Sequence, residues 1–239
     1  MDPSLAIIAV DDEVAVVGGN RYSLAGTVAA PPSPHRRIPW GRFALMRTLA
    51  RTEIPRTQKQ LAAESGVTQA AVSLELHRMA EAVRRTAGGW HSTDRRALWR
   101  RFLAEYPGPR GIVAHWYSVQ PVIPQADAAA SVVPGARLSG DVAADLLAPW
   151  RIPRRAVVYG TAGVDLSRLS FAESSAAEAT LDLVVPTDPT VVATARAWDP
   201  SGRVVDPLIA AWDVLHSGGA DAAEAAAQIQ QSALRRSGS

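Results

Sequence analysis

"TQKQLAAESGVTQAAVSLEL", residues 57–76, reads as two short helices hinged at a glycine. Thr57 stands where a helix running to Ser65 needs an N-cap, because its hydroxyl can accept from the free amides of the first turn. Gly66 follows where a sharp turn calls for positive φ, and Thr68 can cap the next helix. At about 100° per residue, Val72, Leu76, Met79 and Val83 fall on one narrow stripe, the side to be buried. Ala70, Leu74, His77 and Glu81 point the opposite way, with Ser73 and Arg78 at the edges. Gln69 lies nearer the core side, but at the helix tip, where it can still reach outward.

This spacing matches a helix-turn-helix: small Ala62 where the helices cross, Gly66 at the turn, Val67 and Val72 plugging the core. A helix whose N-terminal half carries Thr68, Gln69, Ala70 and Ser73 can enter a major groove without clashing, and its polar atoms can meet base edges. Leu74 could touch a thymine methyl. The plain alternative is a helical hairpin inside a larger core. "VRRTAGGWH" (83–91) then reads as a strand, a turn at Ala87-Gly88-Gly89 and a return strand, the place of a wing. There Arg84 and Arg85 would flank phosphates, giving affinity without sequence information. Upstream, a helical pattern after Pro39 runs to Glu53, with Phe43, Met46, Leu49 and Ala50 on one side. Downstream, a helix from Ser92 or Thr93 to Tyr106 turns Leu98, Phe102 and Tyr106 inward, with Arg95, Arg96, Arg100 and Arg101 largely outside. The expected winged helix covers 39–106.

Charge singles out the same region. Residues 36–110 hold fifteen Arg or Lys against six Asp or Glu, a net +9, between flanks of −3 (1–35) and −4 (111–239). A basic middle between acidic flanks points to a polyanionic partner for that segment; the alternative is a solvated Arg-rich surface. The 239 residues contain no cysteine, which excludes disulfides and thiolate metal sites. No apolar run approaches a membrane span, and Met1-Asp2-Pro3-Ser4 lacks a basic n-region, so the expected setting is cytoplasmic.

Outside the basic segment the texture changes. Ile7–Val10 and Val14–Val17 look like strands, with a turn at Gly18-Gly19-Asn20 before Tyr22 and Leu24, and "AAPPSPHRR" (29–37) is a proline-rich linker. Beyond 110, "GIVAHWYSV" (111–119), "RAVVYG" (155–160) and "TLDLVVP" (180–186) read as strands. "SGDVAADLLAPW" (139–150) reads as a helix capped by Ser139 and stopped by Pro149. Asp206-Pro207 opens a helix to His216, and Asp221 with Glu224 has the capping-box pattern of a last, Ala-rich helix. The expected class is α+β: an N-terminal β-hairpin and linker (1–35), a winged helix-turn-helix domain (36–108) and a mixed α/β domain (109–239).

Catalytic patterns are scarce. There is no glycine-rich nucleotide loop, no nucleophile elbow and no His-Glu-x-x-His. The five histidines (35, 77, 91, 115, 216) are scattered. Asp141 and Asp145 share a helix face and could seat a metal, but the preferred reading is an Asp141 that answers the helix N-terminus beside a solvated Asp145. Asp11-Asp12-Glu13 reads as an exposed acidic turn, and "HWY" (115–117) as core packing. The expectation is no catalytic residues, no metal and no cofactor.

The strings "QKQLAAESGVTQAAVSLELHRM", "EYPGP", "GDVAADLLAPWRIPRRAVVY" and "DPLIAAWDVLHSGGADAAEAA", with "GGNRYSL" before them, resemble actinobacterial proteins grouped with the AbiEi-type antitoxins of type IV toxin–antitoxin systems. The resemblance covers roughly 14–234. It implies a winged helix that binds double-stranded operator DNA as an inverted repeat and represses its own operon. It also implies a C-terminal domain that counters a nucleotidyltransferase-type toxin without forming a stable complex with it. Carried over, Thr68, Gln69, Ala70 and Ser73 match the recognition helix and Arg84 and Arg85 the wing; with Leu74, His77 and Arg78 these make up the expected DNA-binding set. Two other classes stay open: a DNA-directed enzyme with a degenerate nuclease or nucleotidyltransferase-like C-terminal domain, and a winged-helix protein-interaction module.

Overall fold

The computed structural model describes residues 7–9, 14–17 and 20–23, then 38–200 and 202–236. The Asp11-Asp12-Glu13 and Gly18-Gly19 turns, the 29–37 linker and the last three residues lie outside the described residues. The protein is α+β, in two compact units, 1–38 and 39–239. In the first unit β1 (Ile7–Ala9), β2 (Val14–Val17) and β3 (Asn20–Ser23) form an antiparallel sheet in chain order, one strand more than the hairpin expected.

The second unit begins with α1 (Trp40–Ala50), α2 (Gln58–Ser65), α3 (Gln69–Arg78), the hairpin β4 (Val83–Thr86) and β5 (Gly89–Ser92), and α4 (Arg95–Glu105). Local chemistry sets these boundaries. Thr57 Oγ1 accepts from Gln60 N at 3.2 Å while Gln60 Oε1 accepts from Thr57 N at 2.8 Å, a reciprocal capping box. Gly66 sits at φ 73°, and a Cβ on it would come within 2.6 Å of the Ala193 methyl carbon. Thr68 caps α3 through Ala71 N. The helix α4 is capped by Asp94, which accepts from Ala97 N at 2.9 Å, and not by Ser92 or Thr93, because Ser92 is still in the hairpin.

Two expectations for these helices fail. The helix α1 stops at Ala50, three residues short of Glu53, and it is not amphipathic: every residue from Phe43 to Ala50 is buried. It packs on α2, α3 and α4 on one side and on α7 (Val191–Trp198) on the other, so no face is left for water. Arg95 is not outside either. Its Nε donates to Ala50 O at 2.9 Å and its guanidinium pairs with Glu53, closing the end of α1.

The remainder holds β6 (Gly111–Tyr117), α5 (Val122–Val132), β7 (Arg137–Ser139), α6 (Gly140–Leu147), β8 (Ala156–Tyr159), β9 (Ala172–Glu173), β10 (Leu181–Pro186), α7, α8 (Pro207–Ser217) and α9 (Ala222–Arg236). The sheet runs β7-β8-β10-β6-β9, with β8 and β10 parallel and the other pairs antiparallel. Asp206 caps α8 by accepting from Leu208 and Ile209 N, with Pro207 in the first turn. Ser139 precedes α6 without capping it; its hydroxyl donates to Asp213 instead. Asp221, read as half of a capping box, accepts from Arg151. No helix among the described residues is long and apolar enough to cross a membrane.

The change of texture near 108 is a change of architecture, not a gap in the packing, since residues 39–239 form one unit. At the seam Arg47 of α1 is fully buried. It donates to Asp206 at 3.1 Å and to Asp188 at 3.4 Å, and bonds the Thr190 hydroxyl. Tyr106 O–H donates to Asp188 at 2.9 Å and the Thr194 hydroxyl to Asp206 at 2.8 Å. Burial pulls the Arg47 guanidinium down, but Asp206 and Asp188 hold it above its ordinary value.

Candidate nucleic-acid interface

Helix α3 rests on Val72, Leu76 and Met79, all buried. With that stripe inward, Thr68, Gln69, Ala70, Leu74, His77 and Arg78 are exposed and Ser73 is half-buried. Gln69 is on the outside despite its wheel position, because it occupies the first helical residue. Leu74 is 51% exposed, a bare leucine on a helix of otherwise small and polar outward residues.

Two members of the expected set are partly spoken for. Arg78 Nη1 bonds Glu75 at 2.6 Å, and Glu75 also holds Arg42 at 3.1 Å. Glu75 is buried and anchors α3 to α1. Arg78, three residues on, marks it in the sequence as an ion-pair partner. The His77 ring folds back, its Nδ1 at 2.7 Å from Ser73 O.

In the hairpin, Val83 pairs with Ser92, Arg84 with His91 and Arg85 with Trp90. Successive side chains of a strand take opposite faces. Val83 is buried, so Arg85 shares the inner face with Trp90 while Arg84 and His91 take the outer one. Both arginines are exposed, but they cannot lie side by side on one row of phosphates. A residue of the α1–α2 connection extends the hairpin: Arg56 N donates to Trp90 O, and Trp90 N to Arg56 O, each at 2.8 Å.

The cations of the basic segment divide into paired and unpaired ones. Of the fifteen cations in 36–110, Arg42, Arg47, Arg51, Arg56, Arg78, Arg95 and Arg101 are in ion pairs. Lys59, Arg84, Arg85, Arg96, Arg100 and Arg110 are exposed and make no ion pair among the described residues. Lys59, in the first turn of α2, was missing from the expected set. Acids of the same segment answer all of the paired cations but Arg47, whose partners Asp188 and Asp206 only the fold reveals.

The α/β part holds chemistry the sequence reading did not single out. A cleft of about 400 Å³ is floored by Val157, Tyr159 and Val184 and walled by Trp212, Asp213 and His216 of α8. Asp213 accepts from Ser139 and, at 2.9 and 3.0 Å, from Tyr159. Burial pushes its carboxyl up to about 7, against the pull of those two donors. Its signal was readable, since it is the one ionisable residue in the apolar run 207–215. At the rim Arg155 holds Asp182 through both oxygens, at 2.8 and 2.6 Å, and His115 Nδ1 lies 2.7 Å from Asp182. So "HWY" is core only at Trp116; His115 is half-buried in this cluster and Tyr117 is exposed.

Asp141 stands in the first turn of α6, as the second of the two expectations had it. It is buried, bonded by Arg151 and accepting from Arg154 N at 2.9 Å, and it holds the 151–155 segment against α6. No group of three or more His, Asp or Glu that could hold a metal occurs among the described residues. No family model matches the chain, and no curated protein or solved structure is significantly similar to it.

Proposed function

We propose that residues 39–106 are a winged helix-turn-helix and that the protein is a DNA-binding transcriptional regulator of the cytoplasm. The observation that carries this is the outward face of α3: Gln69, Ala70 and a half-exposed Leu74, left uncovered by the described residues of the 39–239 unit. A helix of this kind fits a major groove, with Gln69 bonding an adenine edge, Leu74 meeting a thymine methyl and Ser73 taking either partner. The Arg56 bridge supports the wing, because a short strand between the first two helices completes a winged helix's small sheet. Lys59 and one of the two wing arginines, Arg84 or Arg85, supply phosphate contacts. The resemblance to AbiEi-type antitoxins extends the proposal to autorepression and to countering a nucleotidyltransferase-type toxin, with no catalysis by this chain.

Retention of a random duplex pool, followed by sequencing of the bound fraction, tests the DNA reading. The wild type enriches a motif. Ala70→Glu enriches none, because its carboxylate meets phosphates and base acceptors, while its stability stays within ~0.5 kcal/mol of wild type. Retention of the same motif by Ala70→Glu would sink α3 as the reading helix. Co-expression with the product of an adjacent nucleotidyltransferase-like gene, and growth as readout, tests the antitoxin extension.

A further inference from the structure

The cleft beside α8 holds a charge that nothing answers. Asp213 is 7% exposed and makes no ion pair among the described residues, whereas buried charges are ordinarily paired. What bonds it is two hydroxyls, each with one proton. Ser139 gives its proton to Oδ2, and Tyr159 shares its own between Oδ1 at 3.0 Å and Oδ2 at 2.9 Å. A carboxylate offers about four acceptor positions, so Oδ1 keeps one open where the side chain borders the cleft. Burial lifts the carboxyl to about 7 against those two donors, and the acids that act on it, Asp182 and Asp206, are of its own sign. The cations of the lining do not fill the position. Arg155 bonds Asp182 through Nε and Nη2, and its Nη1 donates to Ala176 O at 2.6 Å. Arg110 is exposed at the rim and makes no ion pair among the described residues.

We propose that this cleft binds a small organic ammonium ion, whose charged nitrogen donates to Oδ1 of Asp213 while its apolar body lies on Val157 and Val184 against Trp212. The space of about 400 Å³ suits a small organic molecule. Its wall is already in place. The Trp212 indole donates to Tyr106 O at 3.2 Å, the His216 ring stacks on it at 3.6 Å, and a Cβ on Gly108 would come within 2.6 Å of it. A ligand therefore meets a site that needs no ordering. An inorganic cation would lack ligands, since no group of three or more His, Asp or Glu that could hold one occurs among the described residues. A neutral alcohol could bond the carboxylate but would leave its charge unanswered, and an anion would be repelled by it.

Calorimetric titration of the full chain without DNA tests this apart from any DNA reading, at about pH 8, where the carboxyl is ionised. The probes are 2-phenylethylamine and hexylamine, beside the neutral 2-phenylethanol and hexanol and the anions phenylacetate and hexanoate. At least one ammonium ion should bind at least about tenfold more tightly than its neutral and anionic counterparts. Asp213→Asn keeps the size of the side chain and removes its charge, and should abolish that preference. If this variant fails to fold, Val113→Arg decides. Position 113 is an exposed part of the lining, and a cation there should repel the ammonium ions and erase their advantage. Failure of both ammonium ions to bind at about ten millimolar overturns the proposal. So does equal binding by the alcohols, or a preference that survives in either variant.

Discussion

Asp213 sits in the wall of the cleft with two hydroxyl donors and no ion-pair partner among the described residues. Folded, its carboxyl keeps a proton up to about 7; unfolded, it releases it near the ordinary value of about 4. Between those values the folded state binds more protons, so stability falls as pH rises through the window and is level above it. Asp213→Asn lacks that loss. Its stability relative to wild type should therefore climb between pH 4 and 7, by roughly 4 kcal/mol at most. Urea titrations across that range would show it, and parallel profiles for the two proteins would refute it. Arg47 is the opposite case, a buried cation answered by Asp206 and Asp188. Arg47→Met leaves both carboxylates buried without it and should cost about 3–5 kcal/mol in urea unfolding.

Among the elements, α2 and α3 are the most legible in the sequence. Their caps are local, so Thr57, Gly66 and Thr68 declared the boundaries before any packing was known. Helices α5 and α7 went unread for the converse reason. The first carries Pro124, tolerated because it lies in the first turn. The second opens with two valines and no side-chain cap, its Thr190 hydroxyl being engaged by Arg47 and Asp188. The hairpin was legible as a hairpin, but the division of its arginines between two faces follows only from the burial of Val83. That division carries a prediction: Arg84→Ala and Arg85→Ala should differ. One should lower affinity for random DNA and reduce the salt slope by about one, while the other changes little. Anisotropy titrations over salt would detect it, and equal losses would mean that both arginines reach the backbone. Gly66→Ala should destabilise by more than about 1 kcal/mol, because it meets both a left-handed backbone and the Ala193 methyl.

At the scale of the whole molecule, residues 39–239 form one unit, although composition and charge divide the chain near 110. The sequence reading saw the division, because charge is written residue by residue. The joint is not written there, because Arg47 lies more than a hundred positions along the chain from both Asp188 and Asp206. Unfolding should accordingly be a single transition, with far-ultraviolet dichroism and tryptophan fluorescence coincident in urea; separate midpoints would contradict it. Trp40, Trp90 and Trp99 report on one side of the joint and Trp116, Trp198 and Trp212 on the other. The same joint limits how such a protein can be rebuilt. A chimera that imports a foreign segment in place of residues 39–108 would bring its own first helix, and without an arginine in the place of Arg47 it would strand two acids in the interior. On the proposed DNA reading, new target sequences are thus more accessible by changing the outward residues of α3 one at a time than by exchanging the segment as a cassette.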